Sequence, residues 1–257
     1  MKETFTKETT KIEPKNAVLI EGLPGMGMVG RIATRYLIKE LGAKRFAELY
    51  SPHFPYYVLV NKKGNVRLLR GEFYFWNNQN GENDLIILTG DSQAQTIEGQ
   101  YEVTKSILNF AHRLGVKKIV TLGGYRQEVE GNPKVIAVST SQELLKEALE
   151  SKAIASPTGN PIVGTAGLLL GLAKFTKIDA LCLLGETRGY LPDPKAAKSV
   201  IEILQRILNF HVDFNGLDKE IEKSKEIVAR MKEIEKRRES YAKKMRQTEK
   251  ARVTYIS

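Results

Sequence analysis

The residues best placed to do chemistry fall into two groups. The first is a glycine run, Gly25-x-Gly27-x-x-Gly30, that follows the apolar stretch Ala17–Ile20 and precedes a helical pattern. Such a run can bring backbone N–H groups against a pyrophosphate at the positive end of a helix. Here Met26 and Met28 fill the turn where a phosphate needs clearance. The acidic residue that should end a strand about 20 residues on is missing, because Glu48 continues into Leu49-Tyr50-Ser51-Pro52. The glycines are therefore read as permitting a tight turn and close helix–sheet packing. A further reading makes Met26 and Met28 an adaptable contact surface for another protein.

The second group gathers polar side chains after apolar runs. Asp91, Ser92 and Gln93 follow one run, Tyr125 and Arg126 another, and Glu186 and Arg188 a third. If those runs are parallel strands, their carboxyl ends form the edge where open α/β sheets bind ligands. Asp91, Arg126, Glu186 and Arg188 are the alternative ligand set, suited to a phosphorylated or ribose-bearing molecule. Against it stands the plain reading that loops are polar and that Glu186 and Arg188 satisfy each other or the backbone.

Other chemistry is sparse. His53, His112 and His211 are far apart and none stands at metal-ligand spacing, so no metal site is expected. The single cysteine, Cys182, sits inside an apolar run and reads as a small buried hydrophobe, which fits a reducing cytoplasm. There is no Gly-x-Ser-x-Gly elbow and no phosphate-loop lysine; Arg31 follows Gly30 instead. No catalytic residue and no cofactor is expected.

The elements that would position these groups alternate. Ala17–Ile20 reads as a buried strand and Val29–Leu41 as a helix closed by Gly42. Arg45–Tyr50 is a short strand, and Tyr56–Val60 with Val66–Phe75 a hairpin around Asn61–Asn65. Asp84–Thr89 is a strand, and Gln95–Leu114 a helix with Ile97, Tyr101, Thr104, Ile107, Leu108 and Ala111 facing inward. Lys118–Leu122 and Val135–Ser139 are strands. Ser141 caps a helix to Glu150, Val163–Phe175 is a helix rich in small residues, Ala180–Leu184 is a strand, and Pro194 opens a helix to about Phe210. The expected fold class is α/β, a mostly parallel sheet with helices on both faces, plus a C-terminal helical extension.

The expected domain plan is a flexible lead-in over residues 1–16, a core domain over 17–214, a basic helical extension over 215–252 and a hydrophobic tip over 253–257. The 257 residues carry a formal net charge of +10. From Lys236 to Arg252 there are eight Lys/Arg and two Glu, so the extension holds most of that charge. With no aromatic-and-basic array in the core, nucleic acid is not the expected partner. No run reaches the ~20 apolar residues of a membrane span, and Met1–Lys15 lacks the apolar stretch of a secretory signal. Within the extension, Ile227, Met231, Ile234, Tyr241 and Met245 follow heptad spacing, interrupted by Arg238, and form a candidate oligomer or partner seam.

Taken together, Leu19-Ile20-Glu21-Gly22-Leu23-Pro24-Gly25-Met26-Gly27-Met28-Val29-Gly30, Leu88-Thr89-Gly90-Asp91-Ser92-Gln93, Thr121-Leu122-Gly123-Gly124-Tyr125-Arg126, Gly164-Thr165-Ala166-Gly167-Leu168, Leu184-Gly185-Glu186-Thr187 and Pro192-Asp193-Pro194-Lys195-Ala196-Ala197 run in the order seen in a known family. The set resembles the proteasome assembly chaperone 2 family in its archaeal branch. The resemblance implies a nucleoside-phosphorylase-like α/β fold used as a protein-binding scaffold without catalysis. It also implies homo-oligomers or paired sister subunits that bind proteasome α subunits in the cytoplasm. Some members dock through a C-terminal hydrophobic–Tyr–any tripeptide. Here Val253, Thr254, Tyr255, Ile256 and Ser257 are the candidate partner-binding tip, with Tyr255 third from the end and Ile256 penultimate. A nucleoside-binding or phosphorylase-like enzyme is the alternative that the same fold resemblance carries.

Overall fold

The computed structural model describes residues 1–79, 83–129, 131–227 and 229. The strand before the glycine run, β2 (Val18–Glu21), is buried at all four positions. A strand with no polar face has to lie inside a sheet covered on both sides. It pairs in parallel with β7 (Leu85–Gly90) on one side and β8 (Lys118–Arg126) on the other. Next to β8, again parallel, lies β11 (Asp179–Thr187). These four strands are the parallel heart of a nine-stranded sheet.

Both flanks add antiparallel ladders. On one side β6 (Gly71–Trp76), β3 (Lys44–Tyr50) and β1 (Phe5–Glu8) follow β7 outward. On the other, β9 (Val135–Ser139) runs antiparallel to β11 and carries the short β10 (Ile154–Ala155). A separate two-stranded ribbon joins β4 (Val58–Val60) to β5 (Val66–Leu68).

Helices cover the two faces. On one, α1 (Val29–Glu40), α3 (Gln142–Glu150) and α5 (Pro194–Leu208) enclose a core that includes Val18, Ile20, Leu37, Val120, Leu183 and Ile201. On the other, α2 (Ile97–Arg113) and α4 (Gly164–Ala173) enclose Leu19, Phe73, Leu88, Ile107, Ile119 and Leu169. Local chemistry starts α3 and α5 as expected. Ser141 Oγ accepts the N–H of Leu144 at 3.4 Å. Asp193 Oδ1 accepts that of Ala196 at 2.9 Å, with Pro194 in the first turn.

The glycine run does packing work. A Cβ on Gly22 would lie 2.3 Å from the carbonyl oxygen of Gly30, and one on Gly30 would lie 2.2 Å from that of Leu122. Both are far below contact distance, so α1 can approach β2 and β8 only because these positions lack side chains. Gly27 takes a left-handed φ of 57° in the single 3-10 turn Met26–Met28.

Three details differ from the sequence reading. Phe5–Glu8, expected in a frayed lead-in, pair with β3, and Thr4 anchors them: its N–H donates to Glu102 Oε1 at 2.8 Å. The expected hairpin divides, so that Val66–Leu68 stay in the ribbon while Gly71–Trp76 join the main sheet. Ile97 and Tyr101 lie exposed rather than inward. The face of α2 is set by Val103, Ile107 and Ala111, and Tyr101 stands about 120° round the axis from Ile107 at ~100° per residue. Residues 215–227 are helical, and they begin against the core, with Leu217 and Ile221 buried and Lys198 Nζ 2.6 Å from Asp218 Oδ1.

Candidate functional site

Strand β8 runs four residues and β11 three residues further than their apolar runs suggested, so Tyr125, Arg126, Glu186 and Thr187 are still in the sheet. The carboxyl ends of β2, β7 and β8 then stop beneath the loop before α4. Between them lies a cavity of about 670 Å³. Leu23, Leu122, Ile162, Val163 and Leu184 give it apolar walls, while Glu21, Asp91, Gln93, Gln100 and Arg126 supply polar groups.

Glu21 ends β2 on the floor of this cavity and is 1% exposed. Burial pushes its carboxyl up to about 8, although the N–H of Leu23 donates to Oε1 at 3.1 Å and pulls the other way. Its Oε2 has no hydrogen-bond partner among the described residues. Across the ladder Glu21 stands opposite Thr121, which stands opposite Cys182. All three are buried, and burial raises the Cys182 thiol to about 12. A thiol held in that form is a poor nucleophile, in keeping with its reading as a small hydrophobe.

The carboxamides of the wall are already engaged. Gln93 Nε2 donates to the Pro24 carbonyl at 2.7 Å, and its Oε1 accepts the N–H of Thr165 at 2.9 Å. Gln100 Nε2 donates to the Ala94 carbonyl at 2.6 Å. These bonds tie the loop after β7 to the start of α4 and fix the shape of the wall.

The four residues of the alternative ligand set are not brought together. Asp91 and Arg126 line the cavity; Glu186 and Arg188 do not. Asp91 is clamped by Arg67, Nη1 to Oδ2 at 2.5 Å and Nη2 to Oδ1 at 2.9 Å. Burial raises the Asp91 carboxyl, but Arg67 and the Arg70 N–H outweigh that and hold it below the usual range. Arg126 lies over the Tyr190 ring, its guanidinium carbon 4.6 Å from the centroid, and bonds the ring hydroxyl. Glu186 Oε2 accepts the backbone N–H of Lys134 at 2.9 Å, while Arg188 pairs with Glu128 at 3.4 Å. The spread has a simple cause. Glu186 precedes Thr187, the cross-strand partner of Arg126, and so takes the opposite face of the sheet from Arg126, while Arg188 lies past the end of β11.

A second surface feature is the ribbon. Val58 pairs with Leu68 and Val60 with Val66, so all four share one face, and all four are exposed. Tyr56 and Tyr57 extend this apolar surface. The opposite face is tethered, because Arg67 grips Asp91 and Leu59 packs on the core. Of the candidate seam, Ile227 is exposed at 56%. Met231, Ile234, Tyr241 and Met245 lie outside the described residues, as do Val253, Thr254, Tyr255, Ile256 and Ser257. Among the described residues there is no cluster of metal-binding side chains, and no helix is long and apolar enough to cross a membrane.

Residues 19–232 match the PAC2 family, and the chain belongs to it. The chain is similar to Pyrococcus furiosus PbaB, described as an archaeal proteasome activator. It is 39% identical, covering 90% of this chain and all of that one, with a TM-score of 0.86. It is also similar to Pyrococcus furiosus PbaA, described as an archaeal homologue of proteasome-assembly chaperone. That match is 31% identical over 90% of this chain and 96% of that one, with a TM-score of 0.72. In sequence it is 36% identical to the Methanocaldococcus jannaschii protein MJ1210, with 91% of each chain covered.

Proposed function

We propose that this chain is a non-enzymatic, oligomeric chaperone that engages proteasome α subunits. The observation that carries the reading is family membership over residues 19–232, joined to the likeness to PbaA and PbaB. Within it, the core acts as a scaffold and the segment beyond residue 215 carries the partner contacts, with Val253–Ser257 as the docking tip and Ile227, Met231, Ile234, Tyr241 and Met245 as a helix seam. Repeating a weak tail around a symmetric assembly raises its effective concentration at a symmetric target. Copies of the chain associate through the apolar face of the ribbon. An isologous contact needs a self-complementary patch, and Val58, Val60, Val66 and Leu68 offer one.

A second reading has its own support. The likeness is stronger to PbaB, an activator, than to PbaA, a chaperone homologue. On that reading the chain binds the finished particle and opens it rather than helping to build it.

Native mass spectrometry of the full chain with purified α subunits tests the reading, alongside a chain lacking Val253–Ser257. The free protein is expected as an oligomer, reduced to monomer by Val60→Lys with Val66→Lys. A complex that disappears on trimming places docking at the tip; one that survives moves it to the helix or the core. No complex with either chain refutes the reading. Faster peptide hydrolysis by a preassembled proteasome favours the activator; faster ring formation from free α subunits favours the chaperone.

A further inference from the structure

We infer that the cavity over Glu21 is a small-molecule site that takes an uncharged amide or lactam, whose carbonyl oxygen meets the Glu21 carboxyl. The argument starts from an unmet bond. A buried polar atom without a partner costs free energy, so nearly all are paired. Glu21 Oε2 is unpartnered, its residue is 1% exposed, and it lines a cavity of about 670 Å³. That volume lies within the ~300–1,000 Å³ of small-molecule pockets, which combine apolar walls with a few placed polar groups.

The charges around the cavity narrow the ligand. The neutral form of a carboxyl offers an O–H donor. Burial keeps Glu21 neutral at pH 7, so the floor presents a donor and calls for an acceptor. An anion meets no available cation there. Arg126 is the one basic lining residue, and it rests on Tyr190 at the mouth. Arg67 is spent on Asp91, and Arg70 on Glu48 and Glu72. A cationic amine meets no free carboxylate there, because Asp91 is held by Arg67. An amide edge suits the site instead: its carbonyl accepts from Glu21 and its flat body lies between apolar walls.

The titratable groups that face Glu21 do not change this. Cys182 on β11 is held as a thiol, and Asp91 beyond β7 is ionised but paired with Arg67. Tyr125 and the charged Arg126 come from β8, while α2 contributes Gln100 and α4 contributes Gly164 and Ala166, three residues without charge. This inference stands apart from proteasome binding and fails or survives separately from it.

The test is calorimetric titration of the full chain at pH 7 with uracil, hypoxanthine and 2-piperidone, and with inorganic phosphate and spermidine as charged probes. Saturable binding of at least one lactam is expected. Glu21→Gln retains an N–H donor and is expected to bind within about threefold of the parent. Glu21→Leu is expected to weaken binding tenfold or more, about 1.4 kcal/mol. Ala166→Phe, which fills the cavity from α4, serves as the second variant should the leucine substitution unfold the chain; it is expected to abolish binding. Between pH 7 and pH 9 the protonated fraction of a group titrating at about 8 falls from roughly 0.9 to 0.1. Affinity is expected to drop about tenfold with it. No lactam binding at millimolar concentration, binding unaffected by Glu21→Leu or by Ala166→Phe, or preference for phosphate or spermidine overturns the assignment.

Discussion

Replacing Glu21 by glutamine removes one ionisable proton from the interior while keeping the shape of the side chain. The native carboxyl titrates at about 8 against an ordinary 4.5, and burial is the larger cause. Between those two values the folded protein holds about one proton more than the unfolded chain. Stability then falls with rising pH at about 1.4 kcal/mol per unit, flat below 4.5 and flat again above 8. At pH 7 the accumulated loss is about 3 kcal/mol, and by pH 8 it is about 4–5 kcal/mol. Glutamine does not ionise, and its carbonyl can still accept the Leu23 N–H. Glu21→Gln is therefore expected to equal the parent near pH 4.5 and to exceed it by about 3 kcal/mol at pH 7. Urea denaturation of both proteins from pH 4.5 to pH 9 measures this, because every other titrating group cancels in the difference. Parallel curves, offset by a constant amount, would refute the reasoning: Glu21 would then ionise as an exposed carboxyl does.

Gly30→Ala puts a methyl carbon 2.2 Å from the Leu122 carbonyl oxygen, and since backbone cannot step aside, a loss on the order of 3 kcal/mol is expected in chemical denaturation. Leu217→Ala, at a fully buried position, is expected to cost about 2–5 kcal/mol. Ile227→Ala, at an exposed one, should stay within about 0.5 kcal/mol; equal effects would mean that the helix does not dock where its buried residues place it. Asp193→Ala removes the cap of α5 and the acceptor of the Thr187 hydroxyl at 2.8 Å, for about 1–2 kcal/mol by the same assay.

The alternation of strands and helices was legible because each buried strand is a short apolar run closed by glycine or a polar cluster, as Leu85–Gly90 is. The packing role of Gly30 was legible too, since bulky Met26 and Met28 argued against a phosphate; the matching role of Gly22 was not read from the sequence. The cavity was only half legible. Asp91, Gln93 and Arg126 announced themselves as polar residues after apolar runs. Glu21 did not, because what buries it comes from β8, α2 and α4, all far along the chain. One signal was present: an acidic residue directly continuing a run that otherwise reads as fully buried. Glu186 and Arg188 were grouped with the site because a one-dimensional reading sees strand ends but not which face each side chain takes. The edge strand Phe5–Glu8 was missed for a related reason. A four-residue strand with three exposed positions has no apolar pattern of its own and exists because β3 offers it a free edge.

The position of β2 also sets the order in which the chain can be built. Both its neighbours, β7 and β8, come much later in the chain, at residues 85–90 and 118–126. During synthesis this fully buried strand waits without a partner for about 70 residues, on the order of several seconds at ordinary elongation rates. Parallel pairing of distant segments is also slow to nucleate, since the loop must close before the ladder repays it. A nascent or refolding chain of this topology therefore exposes Val18–Glu21 at its most vulnerable stage. The glycine turn and α1, which follow at once, are the only local elements able to cover one side of it in the meantime.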